Sequence, residues 1–129
     1  MTHMYRAQIT HTKDLAFSAE LGDFEFVIDA KTTGASPLNV LLASLGSCIG
    51  VFIRKYAEGA KLPLDNFSVT VEAEFAKEPP MAFRTINVTI DLKDAKIDDR
   101  RRQALLEFIK NCPVHNTLKA DPRVEVKIR

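Results

Sequence analysis

Cysteine is scarce in this chain of 129 residues: there are two, Cys48 and Cys112, far apart in the sequence. Two thiols do not make the disulfide framework of a small secreted domain, and their separation excludes a local Cys-x-x-Cys redox loop. A surplus of one charge is also missing. The 18 Lys and Arg residues against 17 Asp and Glu leave a net charge of +1, which gives no electrostatic pull toward nucleic acid or an anionic membrane. The triplet Arg100-Arg101-Arg102 follows Asp98-Asp99 on a predicted helix and reads as a solvated face. No glycine-rich phosphate loop, Ser-His-Asp pattern, internal repeat or low-complexity segment is present, and the N-terminus has no basic-then-apolar signal pattern. These absences predict a single domain over residues 1–129, cytoplasmic and without membrane or nucleic-acid partners, in which any disulfide is transient.

The residues that are present pattern clearly. Met4–Thr10, Leu15–Ala19 and Phe24–Ile28 read as three short strands, with Leu21-Gly22-Asp23 as a hairpin turn. Ser36 is a helix N-cap with Pro37 at the first helical position, and the helix is expected to run to about Glu58 and stop at Gly59. From Pro37 to Ile53 it carries no charge. Such a run approaches the length of a membrane span, but Asn39, Ser44, Gly46, Ser47 and Gly50 within it favour the central helix of a soluble core. Phe67–Ala76 and Phe83–Leu92 alternate as two long strands joined through Pro79-Pro80. Asp98 or Asp99 caps a second helix, which Pro113 ends. A helical turn over Pro113–Leu118 and a last strand, Val124–Ile128, complete an order βββ-α-ββ-α-α-β. That is an α+β fold, with helices packed on antiparallel sheet.

The cysteines are the candidates for chemistry. A pair that the fold brings together suits one thiolate that is oxidised and a second thiol that resolves it. Two unrelated buried cysteines are the alternative, since free Cys is among the most buried residue types. Cys112 stands at the N-cap of the turn that Pro113 opens, where the helix dipole favours a thiolate. Ser44 lies one turn before Cys48, within reach of its sulfur or simply a small packed residue. Ala43, Ser47 and Gly50 form a stripe of small residues suited to close helix approach. Cys112-x-x-His115 has half the spacing of a zinc site, but the other histidines, His3 and His11, are remote in sequence, and no metal is expected.

The stretch from Ser36-Pro37-Leu38-Asn39 to Gly46-Ser47-Cys48, together with Cys112-Pro-Val-His-Asn-Thr-Leu118, resembles the two cysteine motifs of the OsmC/Ohr family of osmotically induced and organic hydroperoxide resistance proteins. The predicted element order matches as well. The resemblance implies an intertwined homodimer and a cofactor-free, thiol-dependent peroxidase. In it, Cys48 attacks an organic hydroperoxide, Cys112 resolves the sulfenic acid as a Cys48–Cys112 disulfide, and a dithiol reduces that bond. This chain departs from the family pattern in two places. The family's peroxidases carry a glutamate where Leu38 or Asn39 stands here, and an arginine from the N-terminal strands near where Ala16 aligns. Arg6 is the only arginine ahead of the helix, and Lys13 is another cation there. Asn39, Ser44, Arg6, Lys13 and His115 are therefore the candidates for supporting roles, and weak peroxidase activity is expected. The alternatives are a binding protein for a small hydrophobic ligand and a dimer whose disulfide only tunes stability.

Overall fold

The computed structural model describes residues 4–129, so His3 lies outside the described residues. Its elements are β1 (Gln8–Lys13), β2 (Ala16–Leu21), β3 (Phe24–Asp29), α1 (Pro37–Ala60), β4 (Ser68–Phe75), β5 (Phe83–Asp91), α2 (Asp99–Phe108), a 3₁₀ turn (Ile109–Asn111) and α3 (Pro113–Ala120). The fold is α+β with two antiparallel sheets, β1-β2-β3 and β4-β5. The chain divides into two compact units, Met1–Leu41 and Leu42–Arg129.

The first unit is a three-stranded meander. Leu21 pairs with Phe24 across Gly22, whose φ of 65° is the left-handed geometry that glycine adopts without cost. β1 starts later than the apolar pattern predicts and runs on to Lys13, because its register against β2 is set by the Asp14-Leu15 turn and shifts between His11 and Lys13. After β3 the chain turns on Asp29. This carboxylate is buried and accepts hydrogen bonds from the backbone N–H of Lys31 (2.8 Å) and Thr33 (3.0 Å) and from the Thr33 hydroxyl. The loop then returns along β3, where a Cβ at Gly34 would lie 2.7 Å from the Val27 carbonyl oxygen.

The second unit is built on α1. Leu45, Ile49, Ile53 and Ala57 recur every four residues and are buried, forming a core with Leu64, Leu105 and Cys112. Gly46 lets the helix backbone approach β4 closely: a Cβ there would sit 3.0 Å from Val71 Cγ2. Toward the start of α1, Leu38 and Leu41 are exposed, and so is Val51 on the face opposite the buried stripe, so within one chain α1 is only partly covered. By length and composition it is apolar enough to cross a membrane; its buried stripe faces protein.

Three expectations need correction. Gly59 does not stop α1. The helix runs to Ala60, and Lys61 takes the left-handed position with φ 56°. Lys61 N–H donates to the Glu58 carbonyl (3.3 Å) and Leu62 N–H to the Ala57 carbonyl (2.8 Å), which is the Schellman ending. The turn expected over Pro113–Leu118 is a longer helix, ended by Asp121 at φ 50°. Finally, Val124–Ile128 is not a strand: residues 121–129 have no regular secondary structure and no strand partner, with Val124, Val126 and Ile128 exposed. A strand needs a neighbour to satisfy its backbone, and the described residues of this chain provide none.

Candidate functional site

Pro113 shapes the site. A residue before proline is driven out of helical geometry, and Cys112 adopts φ −59°, ψ 114° between the 3₁₀ turn and α3. Its backbone still links the two helical pieces: its N–H donates to the Ile109 carbonyl (3.1 Å), and its carbonyl accepts from Asn116 N–H (3.0 Å). This places the Cys112 side chain inward, with 0% of its surface exposed.

Cys48 lies on α1 between the buried Leu45 and Ile49 and is itself only partly buried. The two thiols are free and are neighbours, close enough to influence each other's ionisation. Burial pushes the Cys112 thiol above its ordinary pKa. The nearby backbone N–H groups of His115 and Val114 ease its ionisation, whereas the neighbouring Cys48 opposes it. The helix N-terminus therefore does not make Cys112 an activated thiolate, contrary to the expectation from its cap position. Desolvation wins.

The supporting candidates scatter. Ser44 is exposed, and among the described residues its recorded hydrogen bond is through its carbonyl, which accepts from the Ser47 hydroxyl at 3.2 Å. Asn39 is exposed, its backbone N–H capped by the Ser36 hydroxyl at 3.2 Å. Arg6 and Lys13 are exposed members of the first unit, and the Arg6 guanidinium donates to Gln8 Oε1 at 2.8 Å. His115 lines a groove that contains neither cysteine. Among the described residues no three His, Cys, Asp or Glu side chains converge as a metal-binding group. Sequence reasoning named both thiols and did not anticipate how unequally they are buried.

A partly buried thiol on a long helix thus neighbours a fully buried one at the start of another helix, on an α+β scaffold. A model of OsmC-like proteins matches residues 29–127, and the chain belongs to that family. Among solved structures, the OsmC-like protein of Mycoplasma pneumoniae is similar at 22% identity and TM-score 0.80, covering 92% of this chain and 89% of that one. An organic hydroperoxide resistance protein from Legionella pneumophila is 20% identical, with TM-score 0.63 and coverage of 92% and 91%. An OsmC-like hydroperoxide resistance protein from Jannaschia sp. CCS1 is 18% identical, with TM-score 0.64 and coverage of 95% and 90%. No curated protein matches the chain significantly.

Proposed function

We propose that this protein is a thiol-dependent peroxidase for organic hydroperoxides that uses Cys48 as nucleophile and Cys112 as resolving thiol. The observation that carries the reading is the unequal pair: Cys48 is partly open, and its neighbour Cys112 is sealed from solvent. The Cys48 thiolate attacks the outer oxygen of ROOH, the O–O bond breaks, and Cys48 becomes a sulfenic acid as ROH leaves. Cys112 then displaces the sulfenic oxygen as water, giving the Cys48–Cys112 disulfide. A small dithiol restores both thiols and is itself oxidised to a disulfide. The cycle balances with no metal or flavin.

The rate is expected to be low. No acidic residue stands at Leu38 or Asn39, and the Arg6 guanidinium is engaged by Gln8. The working form is proposed to be a homodimer in the cytoplasm. The exposed apolar residues of α1, Leu38 at 45%, Leu41 at 36% and Val51 at 50%, support the dimer. So do Val124, Val126 and Ile128, at 80%, 88% and 99% exposed, because apolar surface of this kind marks interfaces. The test is consumption of cumene hydroperoxide with dithiothreitol as reductant. Turnover that vanishes in Cys48→Ser supports the reading; turnover that persists in that variant, or none in the parent, rejects it. Sedimentation at micromolar concentration checks the dimer, and a monomer there refutes it.

A further inference from the structure

α3 is held to the rest of the chain at one end. None of its residues is fully buried: Val114 packs half-buried against the core cluster, and the others are exposed. Among the described residues no hydrogen bond, ion pair or ring contact joins an α3 side chain to another element. The Thr117 hydroxyl donates within the helix, to the Pro113 carbonyl at 2.8 Å. No side chain caps its start, and Asp121 ends it in left-handed geometry. A helix of 8 residues does not stand alone, since even ~12–15 residues are marginal in water.

What fixes α3 is the residue before it. Cys112 has no exposed surface, and its carbonyl accepts from Asn116 N–H at 3.0 Å. A joint lies at the same place, because Pro113 has no N–H to carry helical bonding from the 3₁₀ turn into α3. Swinging α3 away therefore costs the burial of Cys112 and Val114 and little else in this chain. The neighbouring Cys48 is held quite differently. It lies within the 24 residues of α1, between the buried Leu45 and Ile49.

We propose that α3 is a redox-controlled latch: with both thiols free it opens and closes about the Cys112–Pro113 joint, and the Cys48–Cys112 bond holds it shut. The inference rests on the bond assigned in the cycle above, which forms as two thiols lose two electrons and two protons to the hydroperoxide. It goes beyond that cycle by giving the bond a structural consequence. Weakly anchored elements open locally, well below the cost of global unfolding. Once bonded, Cys112 cannot leave the core without pulling Cys48 and its turn of α1 along. The open form is the route of Cys112 to solvent in the dithiol state. In the disulfide state that route is closed, so the reducing dithiol attacks the Cys48 sulfur, and release of Cys112 as the leaving thiol frees the latch.

The experiment is amide hydrogen exchange of the full chain, in reductant and after diamide, which takes the same two electrons and two protons. Mass spectrometry verifies the bond. Diamide has no O–O bond, so the result is independent of peroxidase turnover. The Asn116 amide is expected to exchange roughly tenfold or more slowly in the disulfide form than in the dithiol form, with the Ile53 amide of α1 slow in both. In Cys48→Ser, diamide should leave Asn116 exchange as fast as in the reduced parent. Val114→Ala should speed Asn116 exchange in the dithiol form, and an unchanged Ile53 amide shows that the variant is folded. Asn116 exchange that is unchanged by a bond that has formed overturns the latch and leaves the cycle standing. An Asn116 amide as protected as Ile53 in the dithiol form also overturns it, including the case in which a second copy of the chain covers α3. Failure of the bond to form overturns the latch and the resolving role of Cys112 together.

Discussion

Cys112 lies beside Cys48 with no exposed surface, whereas Cys48 is only partly buried. The two groups therefore differ in access, and chemical modification should separate them. At neutral pH, iodoacetamide is expected to label Cys48 roughly tenfold faster than Cys112, since reactivity follows thiolate character and exposure. Peptide mapping by mass spectrometry over a time course reads both rates. Equal labelling would mean that burial at Cys112 does not protect it.

The raised pKa of Cys112 also links pH to stability. Below the ordinary thiol pKa the group is neutral in folded and unfolded chains alike, and the contribution is fully present. As pH rises past that value, the unfolded chain releases the proton while the buried thiol keeps it, so stability falls until the folded group ionises. Denaturant midpoints measured in reductant should thus decline above about pH 8.5, the value of a free thiol. Cys112→Ala should be less stable at neutral pH but should show a flatter decline. An equally steep decline in that variant would assign the effect to other groups.

Asp29 gives the opposite limb. Its pKa is lowered from 3.8 to about 2, first by the Thr33 hydroxyl and then by the backbone N–H groups of Lys31 and Thr33. A depressed carboxyl contributes stability above its ordinary pKa and loses it as pH falls toward the folded value. The loop between β3 and α1 should therefore loosen between about pH 4 and pH 2. Amide exchange at Lys31 and Thr33 reports it, and Asp29→Asn should show the looser loop already at neutral pH. Protection unchanged in that variant would remove the carboxylate from its role as loop anchor.

How far the sequence could be read depends on where each signal resides. Alternating Val and Ile residues located β4 and β5 to within a residue or two, because both are long strands with one apolar face. Pro113 located the break at Cys112, since its ring restricts the preceding residue whatever else surrounds it. Val124–Ile128 has the alternation of a strand, but pairing is a property of neighbours and not of the segment. The same limit applied to Cys112. Its cap position argues for a thiolate, and only the three-dimensional packing of Leu45, Ile49 and Leu105 into the same core shows that desolvation outweighs it.

The end of α1 yields the last prediction. Gly59 is the residue that helix-ending statistics select, yet it stays inside the helix, and Lys61 carries the left-handed geometry with φ 56°. The reason lies one residue further on. Leu62 packs against the core cluster while its N–H reaches the Ala57 carbonyl, so the position of this apolar anchor sets the register of the ending. A side chain in left-handed geometry costs ~1–2 kcal/mol that glycine avoids, offset in part by the greater freedom glycine has when unfolded. Lys61→Gly is thus expected to stabilise the fold by about 0.5–1 kcal/mol. Gly59→Ala, at a helical position where an added Cβ meets nothing within 4 Å, should also stabilise, by about 1 kcal/mol or less. Chemical denaturation of the two variants beside the parent measures both effects. If Lys61→Gly were destabilising and Gly59→Ala strongly so, the helix would end at Gly59 after all.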